Sequence, residues 1–132
     1  MDGADPVSLI LLVEDEPGIR DYVSRILTGS GYRVWTCDNG LDALALALSL
    51  RPRAVVSDVG IPGIDGAELA RTLRGRPETR NARILLMSGG PEPRNRHGAA
   101  FLAKPFLACE LLASLSSLMR DTADDVVNHP QC

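Results

Sequence analysis

The chain has 132 residues, 45% of them hydrophobic, and its 17 acidic and 14 basic residues give a formal charge of −3. This length favours a single domain, and the apolar content is too high for a disordered segment. The charge balance lacks the basic excess that attracts nucleic acid or anionic membranes, so we expect neither as a partner. The sequence shows no secretory signal or membrane-span pattern, and we expect a cytoplasmic protein.

Short apolar runs alternate with segments of helical period along the chain. The runs predict five strands, at residues 9–13, 32–37, 54–58, 83–87 and 99–103. The second run is the least apolar, which is typical of an edge strand. This alternation indicates an α/β domain with a parallel sheet. We expect that domain to cover residues 9–120, between a flexible N-terminus at 1–8 and a flexible tail at 121–132.

Cap residues and glycines delimit the predicted helices. The first carries its apolar residues at 19–27 and ends near Gly29 and Gly31, and the second follows a cap at Asp38 or Asn39. Asp65 and Glu68 form a candidate capping pair for the third helix. The last helix is predicted at about 106–119.

One crossover is too short for a regular helix. Between Ser88 and the fifth strand lie about eleven residues, and five of these are proline or glycine: Gly89, Gly90, Pro91, Pro93 and Gly98. A parallel crossover with its helix needs roughly ten to twelve residues. We therefore expect a loop with at most one helical turn.

The three cysteines, Cys37, Cys109 and Cys132, are odd in number and widely spaced. They form no C-x-x-C pair, and no histidine lies at a ligand spacing from them. We expect reduced thiols without a metal or redox role.

Polar side chains follow the predicted strands at the points where they end. These are Glu14, Asp15 and Glu16 after the first strand, Asp58 after the third, Ser88 after the fourth and Lys104 after the fifth. Ligands of open parallel sheets bind at the carboxyl ends of the strands. We therefore expect these carboxylates, the hydroxyl and the ammonium to surround one crevice.

The charges in this crevice restrict its ligand. Two carboxylates about 4–5 Å apart repel by roughly 3–4 kcal/mol at an effective dielectric near 20. Three such groups need a counter-charge or must take up protons. Lys104 supplies one balancing charge, and a divalent cation with oxygen ligands, Mg²⁺ or Mn²⁺, would supply the rest. The acids would repel a phosphate of a nucleotide, and the chain has no phosphate-binding glycine motif.

Four motifs in this order resemble the receiver domain of two-component response regulators. They are residues 11–16 (LLVEDE), 57–66 (SDVGIPGIDG), 87–89 (MSG) and 104–106 (KPF). The resemblance extends from about residue 9 to 119. It implies a flavodoxin-like (CheY-like) fold, with a five-stranded parallel sheet of order 2-1-3-4-5 and helices on both faces. The short crossover then implies that the family's fourth helix is short or missing.

The resemblance also implies a function and a role for each motif residue. Asp58 matches the residue that accepts a phosphoryl group from a histidine kinase or a histidine phosphotransfer protein. Glu14 and Asp15, with Asp58 and the backbone carbonyl of Gly60, match the ligands of Mg²⁺. Ser88 matches the hydroxyl that bonds the phosphoryl group and moves on activation, and Lys104 matches the ammonium that pairs with that group. Phe101 matches the switch aromatic, and Pro105 matches the cis-proline. Chemistry is then confined to the domain's own phosphorylation and dephosphorylation, and its signal passes through protein–protein contacts.

Three departures from the family pattern carry expectations of their own. Glu14 stands where the family usually has Asp. Gly60 and Gly90 provide no side chain at positions that typically shape the access of water, so we expect an open site. A missing fourth helix would alter the family's usual dimerisation face, and the first helix (Pro17, Ile19, Tyr22) becomes the expected partner contact.

A second hypothesis is a pseudo-receiver, a protein-binding module that does not switch by phosphorylation. The degenerate crossover, Gly60 and Gly90 favour it. The retained acids, Asp58 and Lys104 oppose it. The sequence leaves open the oligomeric state, the cognate kinase, and whether the domain stands alone or belongs to a longer hybrid kinase.

Overall fold

The computed structural model describes residues 9–120; the expected flexible segments at 1–8 and 121–132 lie outside this range. Five strands and four helices alternate, with no helix between the last two strands: β1 Leu9–Val13, α1 Pro17–Gly29, β2 Arg33–Cys37, α2 Gly40–Leu50, β3 Ala54–Asp58, α3 Gly66–Arg74, β4 Arg83–Ser88, β5 Ala100–Ala103 and α4 Ala108–Met119. The strands form one parallel sheet of order β2-β1-β3-β4-β5, with β2 at an edge as predicted. Residues 89–99 form turns and coil, so the prediction of a short or missing helix is confirmed.

Side chains of alternate strand residues build two apolar layers, one on each face of the sheet. One layer packs Leu11, Val13 and Val55 against α2 and α3. The other packs Leu12 and Val56 against α1 and α4. Because the three central strands are covered on both faces, their sequences are continuous apolar runs.

Three elements begin later than predicted, each for a local reason. Tyr32 donates its N–H to Leu27 O (3.1 Å) and so belongs to the turn that ends α1. Ala99 donates to Arg96 O (2.9 Å), which closes a turn before β5. The last helix starts at Ala108, where Glu110 Oε1 accepts the N–H of Leu107 (2.7 Å).

The side chains that cap α2 and α3 are among those that the sequence predicts. The Asn39 side chain accepts from the N–H of Asp42 (2.8 Å), and that of Asp65 accepts from Glu68 (2.8 Å). The Glu68 carboxylate pairs with Arg71 and does not bond back to the cap residue. Only one half of the expected capping pair therefore forms.

The cysteines differ from one another. Cys37 is a free thiol, and burial raises its pKa to about 11, so it stays protonated at neutral pH. Cys109 is disulfide-bonded, and the expectation of reduced thiols is wrong there. Cys132 lies outside the described residues.

No helix within residues 9–120 combines the length and the apolar composition that crossing a bilayer requires.

Gly66 lets α3 start in direct contact with the end of β3. Its N–H donates to Val59 O (2.8 Å), and a Cβ at this position would lie 2.6 Å from Asp58 O and 2.9 Å from Val59 Cα. Both neighbours are backbone atoms, which cannot move aside as a flexible side chain does. Steric contact therefore requires glycine at position 66.

We predict that Gly66→Ala lowers the free energy of unfolding by about 1–3 kcal/mol through this overlap, as measured by urea denaturation. Gly29→Ala, at the last residue of α1, is the matched control, because a Cβ there meets nothing within 4 Å. Its stability should be unchanged or slightly raised. Equal losses in both variants would contradict the close contact at Gly66.

Candidate functional site

The parallel strands bring the charged and hydroxyl-bearing residues of the predicted site together at the carboxyl ends of the strands. Glu14 follows β1, Asp58 ends β3, Ser88 ends β4 and Lys104 follows β5. The Glu14 N–H donates to Cys37 O over 3.0 Å, and the Lys104 N–H donates to Ser88 O over 2.8 Å. These bonds continue the ladders past the strands and fix the points at which both side chains leave the backbone.

Lys104 joins two carboxylates from neighbouring strands. Its Nζ lies 3.0 Å from Glu14 Oε1 and 2.8 Å from Asp58 Oδ1. The Glu14 side chain is 2% exposed, whereas those of Lys104 and Asp58 are 17% and 14% exposed. Glu14 is therefore the buried anchor of this ion-pair triad, and Asp58 is the carboxylate that solvent reaches.

Asp15 adds a third carboxylate from the exposed side. Oxygens of Glu14, Asp15 and Asp58 all lie within 4.8 Å of one another. At that separation each pair of carboxylates repels by roughly 3 kcal/mol at an effective dielectric near 20. Three oxygen donors with one side open to water fit the coordination preferences of Mg²⁺, which keeps several water ligands.

Burial and ion pairing set the protonation of the triad. Burial raises the pKa of Glu14, and the hydrogen bond from Lys104 opposes that effect. Burial alone would lower the pKa of Lys104, but the hydrogen bonds to Asp58 and Glu14 outweigh it, and the net shift is upward. Lys104 therefore carries its charge throughout the neutral range.

The turn after β1 holds Glu14 in place. Glu16, in the same turn, does not have the site role that the sequence predicts. Glu14 Oε2 accepts the N–H of Glu16 (3.2 Å), and Arg20 Nη1 donates to Glu14 O (2.9 Å). Glu16 Oε1 caps α1 by accepting the N–H of Ile19 (2.7 Å). The structure thus keeps Glu16 out of the carboxylate cluster. It adds Arg20, which no sequence motif indicated.

Ser88, Gly60 and Gly90 border the triad. The Gly60 N–H donates to Asp58 Oδ2 (3.1 Å), and the Gly90 N–H donates to Ser88 Oγ (2.9 Å). A Cβ at either glycine would meet these same oxygens at 3.6 Å, an ordinary van der Waals contact, and neither backbone has a positive φ. The fold therefore does not require glycine at either position, and the space beside Asp58 stays open for lack of side chains.

The two remaining motif residues lie on β5 and directly after it. Phe101 is half-buried and packs against the apolar layer on the α2 and α3 side of the sheet. The Lys104–Pro105 peptide bond is cis.

An apolar cleft of about 470 Å³ opens next to Lys104, between α1 and the segment that precedes α4. Its lining residues are Ile19, Tyr22, Gly89, Lys104, Pro105 and Phe106. Tyr22 is 49% exposed at this cleft, which is high for a large aromatic side chain. The sequence predicts Ile19 and Tyr22 as surface residues of α1. The opposite wall of the cleft is formed by Lys104, Pro105 and Phe106, which we call the cis-proline segment.

Fold and site together define a doubly wound α/β domain with an acidic, lysine-bridged centre at the carboxyl edge of its sheet. The model of the response regulator receiver domain matches residues 10–116. The chain therefore belongs to the response regulator receiver domain family. Domains of this family interact with histidine kinases or histidine phosphotransfer proteins and bind Mg²⁺ in an acidic pocket.

Individual relatives agree with this assignment. The response regulator MprA of Mycobacterium sp. strain KMS is 35% identical over 122 residues, which are 88% of this chain and 52% of that protein. The chain thus spans about half the length of the curated relatives it matches. The chemotaxis response regulator CheY4 of Vibrio cholerae superposes with a TM-score of 0.78 at 31% identity, covering 85% of this chain and 98% of that one.

A third comparison concerns a ligand. The response regulator TrrA of Thermotoga maritima, solved in complex with Mg²⁺-BeF, has a TM-score of 0.77 and 31% identity and covers 84% of this chain and 98% of its own.

We predict that Lys104→Met lowers the free energy of unfolding by about 3 kcal/mol in metal-free buffer, because it leaves the buried Glu14 carboxylate without its counter-charge. Urea denaturation measures the change. The control is Arg25→Met, which removes an exposed ion pair with Asp21 (80% and 65% exposed) and should cost less than about 1 kcal/mol. A Lys104 variant as stable as the control would contradict the proposed electrostatic balance.

Proposed function

We propose that this domain accepts a phosphoryl group on Asp58 from a phosphohistidine of a kinase or phosphotransfer protein, in the cytoplasm. The P–N bond of the donor breaks with its electron pair remaining on the imidazole, and an Asp58 oxygen forms the new P–O bond. The observation that carries this proposal is the solvent-accessible Asp58 carboxylate held 2.8 Å from Lys104 Nζ. Lys104 is positioned to neutralise the arriving phosphoryl charge.

The acidic cluster would hold Mg²⁺, or Mn²⁺, through Glu14, Asp15, Asp58 and the backbone carbonyl of Gly60. Bound there, the ion supplies positive charge for the phosphoryl oxygens. In this role Glu14 differs from Asp15, because one of its oxygens already accepts from Lys104 and the other from the backbone of Glu16. The oxygens of Asp58 likewise accept from Lys104 and from the N–H of Gly60. We infer that Asp15 provides the strongest metal contact and that the buried Glu14 sets the charge beneath the ion.

Ser88 and Phe101 are proposed to report the phosphorylated state. The Ser88 hydroxyl is held by the N–H of Gly90, and its move to a phosphoryl oxygen would break that bond. Phe101, half-buried on the neighbouring strand, would change its exposure when β4 shifts at Ser88. The open space beside Gly60 and Gly90 admits water, or a side chain of a partner, to the acyl phosphate.

The test of the phosphoacceptor is direct. Incubation with acetyl phosphate and Mg²⁺ should add the mass of one phosphoryl group to the wild type and to the exposed-acid control Asp21→Asn. Asp58→Asn should gain none, and removal of Mg²⁺ with EDTA should suppress the reaction in the wild type. Intact-protein mass spectrometry reads all of these samples.

Absence of any mass gain in the wild type would support the second candidate, the pseudo-receiver. The helix-free crossover at 89–99 is the observation that favours it. The geometry opposes it, since a binding module that does not switch has no need of three mutually repelling carboxylates bridged by Lys104.

We also propose that the phosphohistidine donor docks on the cleft between α1 and the cis-proline segment. The cleft is apolar, is adjacent to Lys104 and exposes Tyr22, so a helix placed there would present its histidine to Asp58. We further infer that the missing helix alters the family's usual dimerisation face. Whether the domain acts alone or within a longer hybrid protein does not change this docking proposal.

Docking predicts a difference between donors. Tyr22→Ala should slow phosphotransfer from a phosphohistidine protein about tenfold, as expected for an exposed aromatic anchor, and leave acetyl phosphate labelling unchanged. Trp35→Ala is the matched control, because Trp35 on β2 is 50% exposed, almost the same as Tyr22, but lies outside the cleft. Equal phosphotransfer rates for Tyr22→Ala and Trp35→Ala would show that the donor docks elsewhere.

A further inference from the structure

Positive charge is concentrated in one segment whose arginines take no part in the proposed phosphoryl chemistry. Residues 71–96 contain seven arginines and two glutamates, a net charge of +5. The rest of the chain has seven basic and fifteen acidic residues and so carries −8. The small overall charge of −3 therefore conceals a strongly basic segment in an otherwise acidic sequence.

Arg74 ties two loops of this segment together. Its Nε donates to His97 O (2.9 Å), and its Nη1 donates to Arg80 O (3.0 Å) and Ala82 O (2.6 Å). The loop at 89–99 thereby lies directly against the loop between α3 and β4. A single half-buried guanidinium thus links two chain segments at a place where the loop at 89–99 has no helix of its own to hold it.

The backbone around this contact is shaped to fit the guanidinium. His97 has a φ of 51° and Gly98 a φ of 82°, both in the left-handed region. A Cβ at Gly98 would lie 3.5 Å from Arg74 Nε, so the loop passes close over the side chain. In this conformation the His97 carbonyl accepts from Arg74 Nε.

Three exposed arginines lie on the two loops that the Arg74 contact joins: Arg76, Arg80 and Arg94. None of them forms an ion pair within residues 9–120. Their neighbours Arg71 and Arg96 differ, since they pair with Glu68 and with Glu92 (3.3 Å). We name Arg76, Arg80 and Arg94, together with the Arg74 that holds their loops, the arginine surface.

We propose that the arginine surface binds an acidic segment of a partner protein. The guanidinium groups of Arg76, Arg80 and Arg94 match the planar carboxylates of Asp and Glu, and each is free to form a bidentate pair. Nucleic acid fits less well, because residues 71–98 contain no Phe, Tyr or Trp for base stacking and the remainder of the chain carries −8. This contact is separate from phosphoryl transfer and does not depend on it.

The probe is a fluorescein-labelled peptide of ten glutamates, whose binding is measured by fluorescence anisotropy at low ionic strength. The variant Arg76→Gln/Arg80→Gln/Arg94→Gln should lose about tenfold in affinity. The matched control is Arg25→Gln/Arg71→Gln/Arg96→Gln, which removes the same charge from three arginines that already have ion-pair partners. We expect it to bind the peptide within about twofold of the wild type.

Each outcome decides the proposal. Equal losses in the two triple variants, or none in either, would overturn it, as would tighter binding of a ten-residue oligothymidylate than of the peptide. Arg74→Lys keeps the charge but cannot span three carbonyls, so it should weaken peptide binding and speed amide exchange at 96–99. Faster exchange with unchanged affinity would show that Arg74 does not position the surface. Thermal unfolding of every variant confirms that it is folded.

Discussion

The contact on which the site depends is the double ion pair of Lys104 with Glu14 and Asp58. Carboxylates at the ends of adjacent strands repel one another, and a fold that gathers them needs a positive charge placed between them. Lys104 reaches both from the far side of β4, at 3.0 and 2.8 Å. Since Glu14 is buried and Asp58 is not, the pairing stabilises the first carboxylate and leaves the second available for chemistry.

The backbone makes this pairing possible before any side chain contributes. Ladder bonds that extend past the strands fix Glu14 against Cys37 and Lys104 against Ser88. On the other side of Asp58, the close approach of Gly66 to the Asp58 carbonyl limits how the chain leaves β3. The triad geometry is thus a consequence of strand register, and a shift of β5 by one residue would remove Lys104 from both carboxylates.

Sequence reasoning succeeds where the information is local or periodic. The strands are predicted to within one residue at each end, because covered parallel strands are continuous apolar runs. The helix-free crossover follows equally from its prolines and glycines, and the acids and Lys104 follow from their positions after the strands. The strand order itself came from the family resemblance.

The contacts that sequence reasoning missed depend on the reach of long side chains. Glu16 is adjacent to two site acids, yet its carboxylate turns back to cap α1. Arg20 crosses six residues to the Glu14 carbonyl, and Arg74 crosses 23 to that of His97. No periodic pattern marks such pairs, since either arginine is an ordinary helix residue when taken from the sequence alone.

The two ends of the loop at 89–99 lie at different sites, one beside the acidic cluster and the other at the arginine surface. At one end the Gly90 N–H holds the Ser88 hydroxyl beside the acidic triad, and at the other Arg74 holds the His97 carbonyl beneath the arginine surface. A helix in this crossover would satisfy its own carbonyls and need neither contact. Because the loop has no helix, its conformation depends on these attachments.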